Sequence, residues 1–463
     1  MKEVCRLLSL LCLLLSHTPS AWGNPTADHT TWDLSVSENG RYLQHTDGRP
    51  FFWLGDTGWL LPHRLTINDA RIYLDDCMQN EFNVVQVQLM NDEFHPDTLA
   101  DAPFWQRLDS IVAEARLRGI YVAMVPVWGS LVKRGWMTTE RAACYGHFLA
   151  KRYGDQPNII WMMGGDIQGD IHPEVWDSLA AAIKRTDRRH LMTFHPRGRT
   201  FSAKWFHQRP WLDFNMFQSG HRRYGQRNGD KHYPIAEGTE EDNWQYVDSC
   251  LQHQPPKPVL DGEPSYENIP QGLHDASQPK WNEHDVRRYA YWSVFAGSCG
   301  HTYGNNEIMQ FIARGKKGAY GADGSKHSWQ DALSDNGRRQ MKYLRRLMEL
   351  FPPEHRVGDS TLVIDNGTRR QRILACRGKD YILTYDCGYP TTMKIDISKI
   401  SGKKKLMWRY SPTDGTLTFV GTQKNGIRHI KKRFLFCGPY DGVLIIVDAN
   451  STLAKKMQQL NFH

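Results

Sequence analysis

Long apolar runs are nearly absent from this 463-residue chain. The exception, Leu7–Leu15, follows Lys2 and Arg6 and precedes Ala21-Trp22-Gly23, which sets small residues in the spacing that leader cleavage uses. Residues 1–23 read as a secretory leader cut before Asn24. The run is too short for a permanent span, and no later segment is longer, so no stable membrane insertion is expected. Cys12 follows Ser9-Leu10-Leu11, and the bulky Leu11 suits a lipoprotein cleavage site poorly. The expectation is an exported protein, periplasmic in a Gram-negative bacterium.

Cysteine is scarce once the leader is set aside. Cys77, Cys144, Cys250, Cys299, Cys376, Cys387 and Cys437 are an odd, scattered set without C-x-x-C pairs. That argues against a disulfide framework and against a zinc site. Only Cys376 and Cys387 lie near enough in a β-rich region to suggest a pair. No G-x-S-x-G elbow supports a serine nucleophile. No glycine-rich phosphate fingerprint supports an open doubly wound sheet, and there is no internal repeat or low-complexity tract. Net charge is +8, placed unevenly: from Glu354 onward 19 Lys and Arg stand against 9 Asp and Glu, while the rest of the chain sums to −2. A solvated basic surface is the simpler reading of that tail, and an anionic polymer the alternative partner. Nucleic acid is not an expected partner, and partner proteins are not indicated.

What is present is a regular alternation from Phe51 to Leu350. Short apolar runs, read as strands, fall at Phe51–Asp56, Asn83–Leu89, Tyr121–Val127, Ile159–Met163, Leu191–His195, Phe214–Gln218, Val259–Glu263 and Gly297–Tyr303. Amphipathic stretches between them predict helices over Ile67–Gln79, Phe104–Arg118, Thr139–Arg152, Pro173–Arg185, Asp285–Phe295 and Asn336–Leu350. Thr66 and Asp335 suit helix N-caps. Eight strand–helix units predict a (β/α)8 TIM barrel over residues 51–351. Residues 24–50 carry turn signals at Asn39-Gly40 and Asp47-Gly48 and predict a β-hairpin. After Pro352-Pro353 the pattern turns to short strands punctuated by Asn366-Gly367, Asp414-Gly415 and Asn425-Gly426. That predicts an antiparallel β-sandwich over 354–450, with 451–463 as a tail.

In such a barrel the reacting groups sit at the carboxyl ends of the strands. Those ends supply Asp56, Gln86, Gln88, Trp128, Asp166, His195, Gln218, His221, Asp261, Glu263, His301, Tyr303 and Asn305, with Trp59 just beyond the first. A polar rim of this kind fits a sugar, whose ring carries several hydroxyls. Two segments stand out: Ile159-Ile160-Trp161-Met162-Met163-Gly164-Gly165-Asp166 and Pro258-Val259-Leu260-Asp261-Gly262-Glu263-Pro264. Each is a buried-strand pattern that ends in glycine and a carboxylate, and a charge there is costly unless paired or used. Hydrolysis of a glycosidic bond needs two such carboxylates, about 5–5.5 Å apart when configuration is retained. Asp56, Asp261 and Glu267 compete with Asp166 and Glu263 for those roles. The rival chemistry is a metal held by His195, His221, His301 and Asp56, but none of these histidines has His-x-Glu or His-x-x-x-His spacing. No metal and no cofactor are expected.

The chain also resembles glycoside hydrolase family 140. The resemblance rests on Phe52-Trp53-Leu54-Gly55-Asp56-Thr57-Gly58-Trp59, Asn83-Val84-Val85-Gln86-Val87-Gln88, Trp161-Met162-Met163-Gly164-Gly165-Asp166, Asp261-Gly262-Glu263-Pro264-Ser265-Tyr266-Glu267 and Gly300-His301-Thr302-Tyr303-Gly304-Asn305. It extends from about Trp32 to Asp448 and includes a small C-terminal β domain named for collagen binding, a name that is no evidence for that ligand. The family is known for apiosidases of gut Bacteroidetes that cleave apiosyl linkages in the pectin rhamnogalacturonan II with retention. Carried over by motif, the resemblance implies Asp166 as acid/base and Glu263 as nucleophile. Asp56, Trp59, Gln88, Trp128, His195, Gln218, His221, Asp261, His301, Tyr303 and Asn305 are then the expected substrate-binding set. An oligosaccharide or polysaccharide substrate is expected. The alternatives are a glycosidase of another sugar specificity and a carbohydrate-binding protein without catalysis.

Overall fold

The computed structural model describes residues 31–96, 99, 102–226, 241–388, 392–431 and 441–460. The leader and Cys437 lie outside the described residues.

Eight parallel strands carry the first domain: Trp53–Thr57, Val84–Met90, Tyr121–Val127, Ile159–Ile167, Met192–Pro196, Asn215–Gln218, Val259–Asp261 and Gly300–Tyr303. Each pairs with its sequence neighbour, and the eighth pairs with the first, Gly300 opposite Trp53. The ring closes between the fifth and sixth strands, where Asp213 N donates to Met192 O at 2.9 Å and Thr193 Oγ1 to Phe214 O at 2.7 Å. A two-residue strand, Thr200–Phe201, adds antiparallel to the sixth. The fold is a TIM-like barrel, and strand alternation divides its core in two. Val84, Tyr121, Ala123, Val125, Ile160, Met162, Met216 and Leu260 fill the inside with Trp53. Leu54, Val85, Val87, Val122, Met124, Trp161 and Met163 face the helices.

Helices Ile67–Gln79 and Asn336–Leu350 run as the sequence pattern predicts. Helix Trp244–Leu251 is additional to those predicted, and its Asn243 N-cap makes no capping bond but spends its side chain on Asp261 and Tyr289 O. The bottom of the barrel is plugged by three antiparallel strands, Leu34–Val36, Leu43–His45 and Pro50–Phe51, one more than a hairpin. Phe51 meets Tyr121 there edge-on, ring centres 5.3 Å apart.

The C-terminal domain is a sandwich of a six-stranded and a three-stranded antiparallel sheet. Seven of these strands overlap the segments expected at Thr361–Val363, Arg372–Cys376, Tyr381–Tyr385, Thr392–Asp396, Lys405–Tyr410, Leu417–Val420 and Gly442–Val447, and Ile427–Lys431, paired with Thr392–Asp396, and Val357–Gly358 are additional. Helix Thr452–Leu460 occupies the segment read as a tail. Cys376 and Cys387 are free thiols. Cys376 sits opposite Leu383 in the ladder, so Cys387 lies four residues further along and cannot be bridged to it.

The two domains share one apolar core across helix Glu283–Ala296, every residue of which from Asp285 to Ala296 is buried. Tyr291 stacks on Tyr385 at 4.7 Å, and Arg287 donates twice to Asp441, both bonds 2.9 Å. A helix covered on both faces has no need of a polar stripe.

Candidate active site

The fourth strand does not end cleanly. Its ladder with the fifth strand slips between Gly164 and Ile167. Gly164, Gly165 and Asp166 all take positive φ, at 94°, 103° and 52°. Both glycines are required by space as well as by angle. A Cβ on Gly164 would lie 2.3 Å from His195 O, and one on Gly165 2.5 Å from the Trp128 ring. The bulge turns the Asp166 side chain into the barrel mouth, where it is exposed. A left-handed aspartate costs roughly 1–3 kcal/mol and persists because its surroundings fix it. The seventh strand ends in a similar way. Gly262 N donates to Phe217 O at 2.9 Å, and a Cβ there would meet Met216 Sδ at 2.4 Å. The chain turns after Asp261, and Glu263 enters the mouth from the side opposite Asp166.

Both carboxyl groups line one cavity of about 990 Å³, with Trp59, Gln88, Trp128, Gln218, His221 and Tyr266 in its wall. Asp166, Glu263 and His195 each offer an atom within 4.8 Å of the others, so an Asp166 oxygen and a Glu263 oxygen are no further apart than that. The same three residues are a possible ligand set for a cation. His221 Nε2 hydrogen-bonds Glu263 Oε1 at 3.1 Å, and His195 Nε2 lies 3.2 Å from Oε2, off hydrogen-bond alignment. Trp59 packs edge-on against both Trp128 and His195 and donates to Tyr266 Oη at 3.1 Å. His195 is thereby held between an aromatic wall and Glu263.

This arrangement separates the two acids. Burial pushes the Asp166 carboxyl up, the Glu263 charge adds to it, and the pKa reaches about 6 despite opposing help from His195 and Gln218. Its outer face is open to the cavity, so water limits the push without cancelling the crowding beneath. Burial also pushes Glu263 up, but the close approach of His195, the hydrogen bond of His221 and the charge of both outweigh it and hold the pKa at about 2. One acid keeps its proton at mildly acidic pH and the other does not, the division of labour that an acid/base and a nucleophile need.

Of the expected site residues, Trp59, Gln88, Trp128, Asp166, Gln218, His221 and Glu263 line the cavity, and His195 stands directly behind Glu263. Five expected substrate contacts do not reach it. Asp56 points to the helix side and accepts from Tyr73 Oη and Arg338, both at 2.6 Å. Asp261 accepts from Ser219 Oγ at 2.8 Å and from Asn243 at 3.1 Å. His301 is buried against Ser293 of the last-but-one barrel helix. Tyr303 donates to Glu267, and Asn305 caps the short helix that begins at Asn306. Strand parity is the cause: Asp56, His301 and Tyr303 share the face of Leu54, and the inward positions of the eighth and second strands are Thr302 and Gln86, themselves bonded together at 3.3 Å. The residues not foreseen are Tyr266, in the turn after Glu263, and a basic rim of Lys133, Arg197, Arg199 and Arg222. Tyr266 stands three residues past Glu263 in the same motif, a signal that was there to read. Lys133 ends the short helix Gly129–Lys133, and the three arginines come from loops, which carry no periodicity.

Residues 37–354 match the family model described as "Apiosidase-like, catalytic domain". The chain belongs to the apiosidase-like family. Residues 357–446 match a second model, "Putative collagen-binding domain of a collagenase". Two solved structures are similar over nearly the whole length. One, titled a glycoside hydrolase, is 50% identical with a TM-score of 0.86, covering 91% of this chain and 98% of that one. The other, titled a glycoside hydrolase family 5 protein from Bacteroides vulgatus, is 51% identical with a TM-score of 0.87, covering 91% and 95%. No curated protein matches significantly. Family and relatives together put the chain among glycoside hydrolases. Among the described residues no helix is long and apolar enough to cross a membrane.

Proposed function

We propose that this protein is a retaining glycosidase that removes side-chain sugars, apiosyl groups first, from the pectin rhamnogalacturonan II. The observation that carries the mechanism is the Asp166–Glu263 pair: opposite pKa shifts, with oxygens within 4.8 Å. An inverting enzyme needs about 6.5–9.5 Å between its carboxyl groups to admit a water, so the short gap favours direct attack. Glu263 attacks the anomeric carbon while Asp166 gives its proton to the departing oxygen. Asp166, now ionised, takes a proton from water, which hydrolyses the glycosyl ester and frees Glu263. His195 and His221 keep Glu263 ionised before the attack and favour its return as a carboxylate when the ester is hydrolysed. The pectic assignment draws on the family and on the basic rim, since Lys133, Arg197, Arg199 and Arg222 suit a substrate attached to an anionic uronate chain. The leader pattern in residues 1–23 supports export, with the periplasm as the site of action.

Incubation with rhamnogalacturonan II and a panel of other pectic oligosaccharides, with NMR of the released sugar, tests both parts. Free apiose first seen in the anomeric form of the substrate linkage is the expected result. Release of a different sugar would overturn the specificity, and the opposite anomer the mechanism. The cation reading of Asp166, His195 and Glu263 is tested alongside. Chelation should leave the rate unchanged, and a loss restored by zinc or manganese would move these residues into a metal site. No sugar release from any polymer, with binding retained, would favour a carbohydrate-binding protein.

A further inference from the structure

The C-terminal domain touches more than the outside of the barrel. The cavity wall that holds His221 continues through Arg222 to Gln226, and the described chain resumes at Glu241. Glu241 is buried and accepts from Tyr224 N at 2.8 Å through Oε1. Its Oε2 accepts from Arg288 at 2.7 Å, on the helix between the domains, and from Arg370 at 3.0 Å, on the C-terminal domain. Arg370 is flanked by two more contacts of the same kind. Arg369 lies over the Tyr224 ring at 5.1 Å, and Arg372 over the Trp244 ring at 3.9 Å. Three arginines within one four-residue turn of the β domain therefore grip the wall on both sides, before residue 226 and after residue 241. Asp285 completes the cluster, 3.6 Å from Arg288 and 3.9 Å from Arg370. Two buried acids thus face two arginines, one from each domain, and removing either base leaves uncompensated charge.

We propose that Arg370 is a positioning residue of the active site: through Glu241 and the Tyr224 amide it fixes the wall that carries His221 against Glu263, so the β domain is part of the catalytic apparatus. The connection is short. Tyr224 stands three residues from His221, and Gly220 N donates to Glu263 O at 3.0 Å, so a shift at Tyr224 is felt on both sides of the nucleophile. The β domain then acts on the reaction by geometry and not by gathering polymer. The kinetic part of this inference rests on the glycosidase reading above, and the structural part does not.

The experiment compares R370Q, R370K and R377Q in the full-length protein. Arg377 pairs with Asp359 inside the β domain at 2.7 Å and reports general disturbance of that domain. Hydrogen exchange of the Tyr224 amide should speed up at least 10-fold in R370Q, stay near wild type in R377Q and be partly restored in R370K. On rhamnogalacturonan II, R370Q should lower kcat more than it raises KM. The acid limb of its pH profile should move upward, because Glu263, faced by His195, His221, Tyr266 and Asp166, loses a well-placed His221. Unchanged Tyr224 exchange in R370Q, or equal changes in R377Q, would overturn the proposal. Absence of activity in the wild type would overturn the substrate reading, and the exchange measurement would still decide this one.

Discussion

At the residue scale the site is two acids made unlike each other by their neighbours. E263Q should abolish turnover, since an amide cannot form the glycosyl ester. D166N should cost about 10²–10⁴-fold on substrates with poor leaving groups and far less on activated aryl glycosides. Equal losses on both substrate types would take Asp166 out of the acid role. The pH dependence follows from the same two shifts. Asp166 must enter protonated, so kcat/KM should fall as pH rises through about 6. Glu263 must enter ionised, so activity should fall only as pH approaches about 2. The expected profile is a broad acidic plateau whose alkaline limb disappears in D166N. An optimum above neutrality would contradict this assignment of roles.

At the element scale, the strand ends decide which polar groups reach the cavity. The slip at Gly164-Gly165 belongs to the fourth strand as a unit and is intolerant of side chains. G164A sets a Cβ against a backbone carbonyl at a residue with φ of 94°, so it should destabilise by more than about 1–3 kcal/mol and displace Asp166. Thermal unfolding and residual activity would measure the two effects, and a wild-type Tm with full activity would refute the requirement. Asp56 illustrates the opposite case. Its carboxylate joins the first strand to helices Ile67–Gln79 and Asn336–Leu350 through Tyr73 and Arg338, wholly buried. D56A removes the wholly buried one of Arg338's two carboxylate partners, leaving Asp76 at 2.6 Å, and should cost up to about 3–5 kcal/mol, while folded protein keeps its KM. A raised KM at wild-type stability would return Asp56 to the substrate site.

At the scale of the whole molecule, the barrel and the sandwich are not separable modules. Helix Glu283–Ala296 is buried on both sides, and its Tyr291 and Arg287 find their partners in Tyr385 and Asp441. A chain ending before Glu354 would expose that apolar face and leave Arg287 without Asp441. Expression of residues 24–353 should therefore yield aggregated or unstable barrel, as read by solubility and Tm. A truncated enzyme that folds normally and loses activity only on long polymer would instead make the β domain a polymer-binding accessory, driven by its surplus of 19 basic over 9 acidic residues. Salt would then weaken action on polymer and spare short neutral oligosaccharides.

The sequence by itself determined the barrel, because eight apolar runs between amphipathic stretches admit few other arrangements. It also confined the candidate acids to Asp56, Asp166, Asp261, Glu263 and Glu267, at or just beyond strand ends where an unused charge is costly, and only the family resemblance singled out Asp166 and Glu263. Strand parity was legible for Gln86 and Gln88, flanked by valines that pack on the helices. The same alternation puts Asp56, His301 and Tyr303 on the face of Leu54, in the strand–helix layer. Asp261 was harder to read, since only the turn at Gly262 gives it and Glu263 different surroundings. Tertiary structure alone decided the rest. The separation of the two pKa values depends on His195 and His221 arriving from the fifth strand and from the segment after the sixth, distances in sequence that no local pattern connects. The basic rim, and the grip of Arg370 on Glu241, depend on loops and domains whose meeting is set by the packing of Helix Glu283–Ala296 between two sheets. Periodicity records which face of an element is covered, and it carries no record of what covers it.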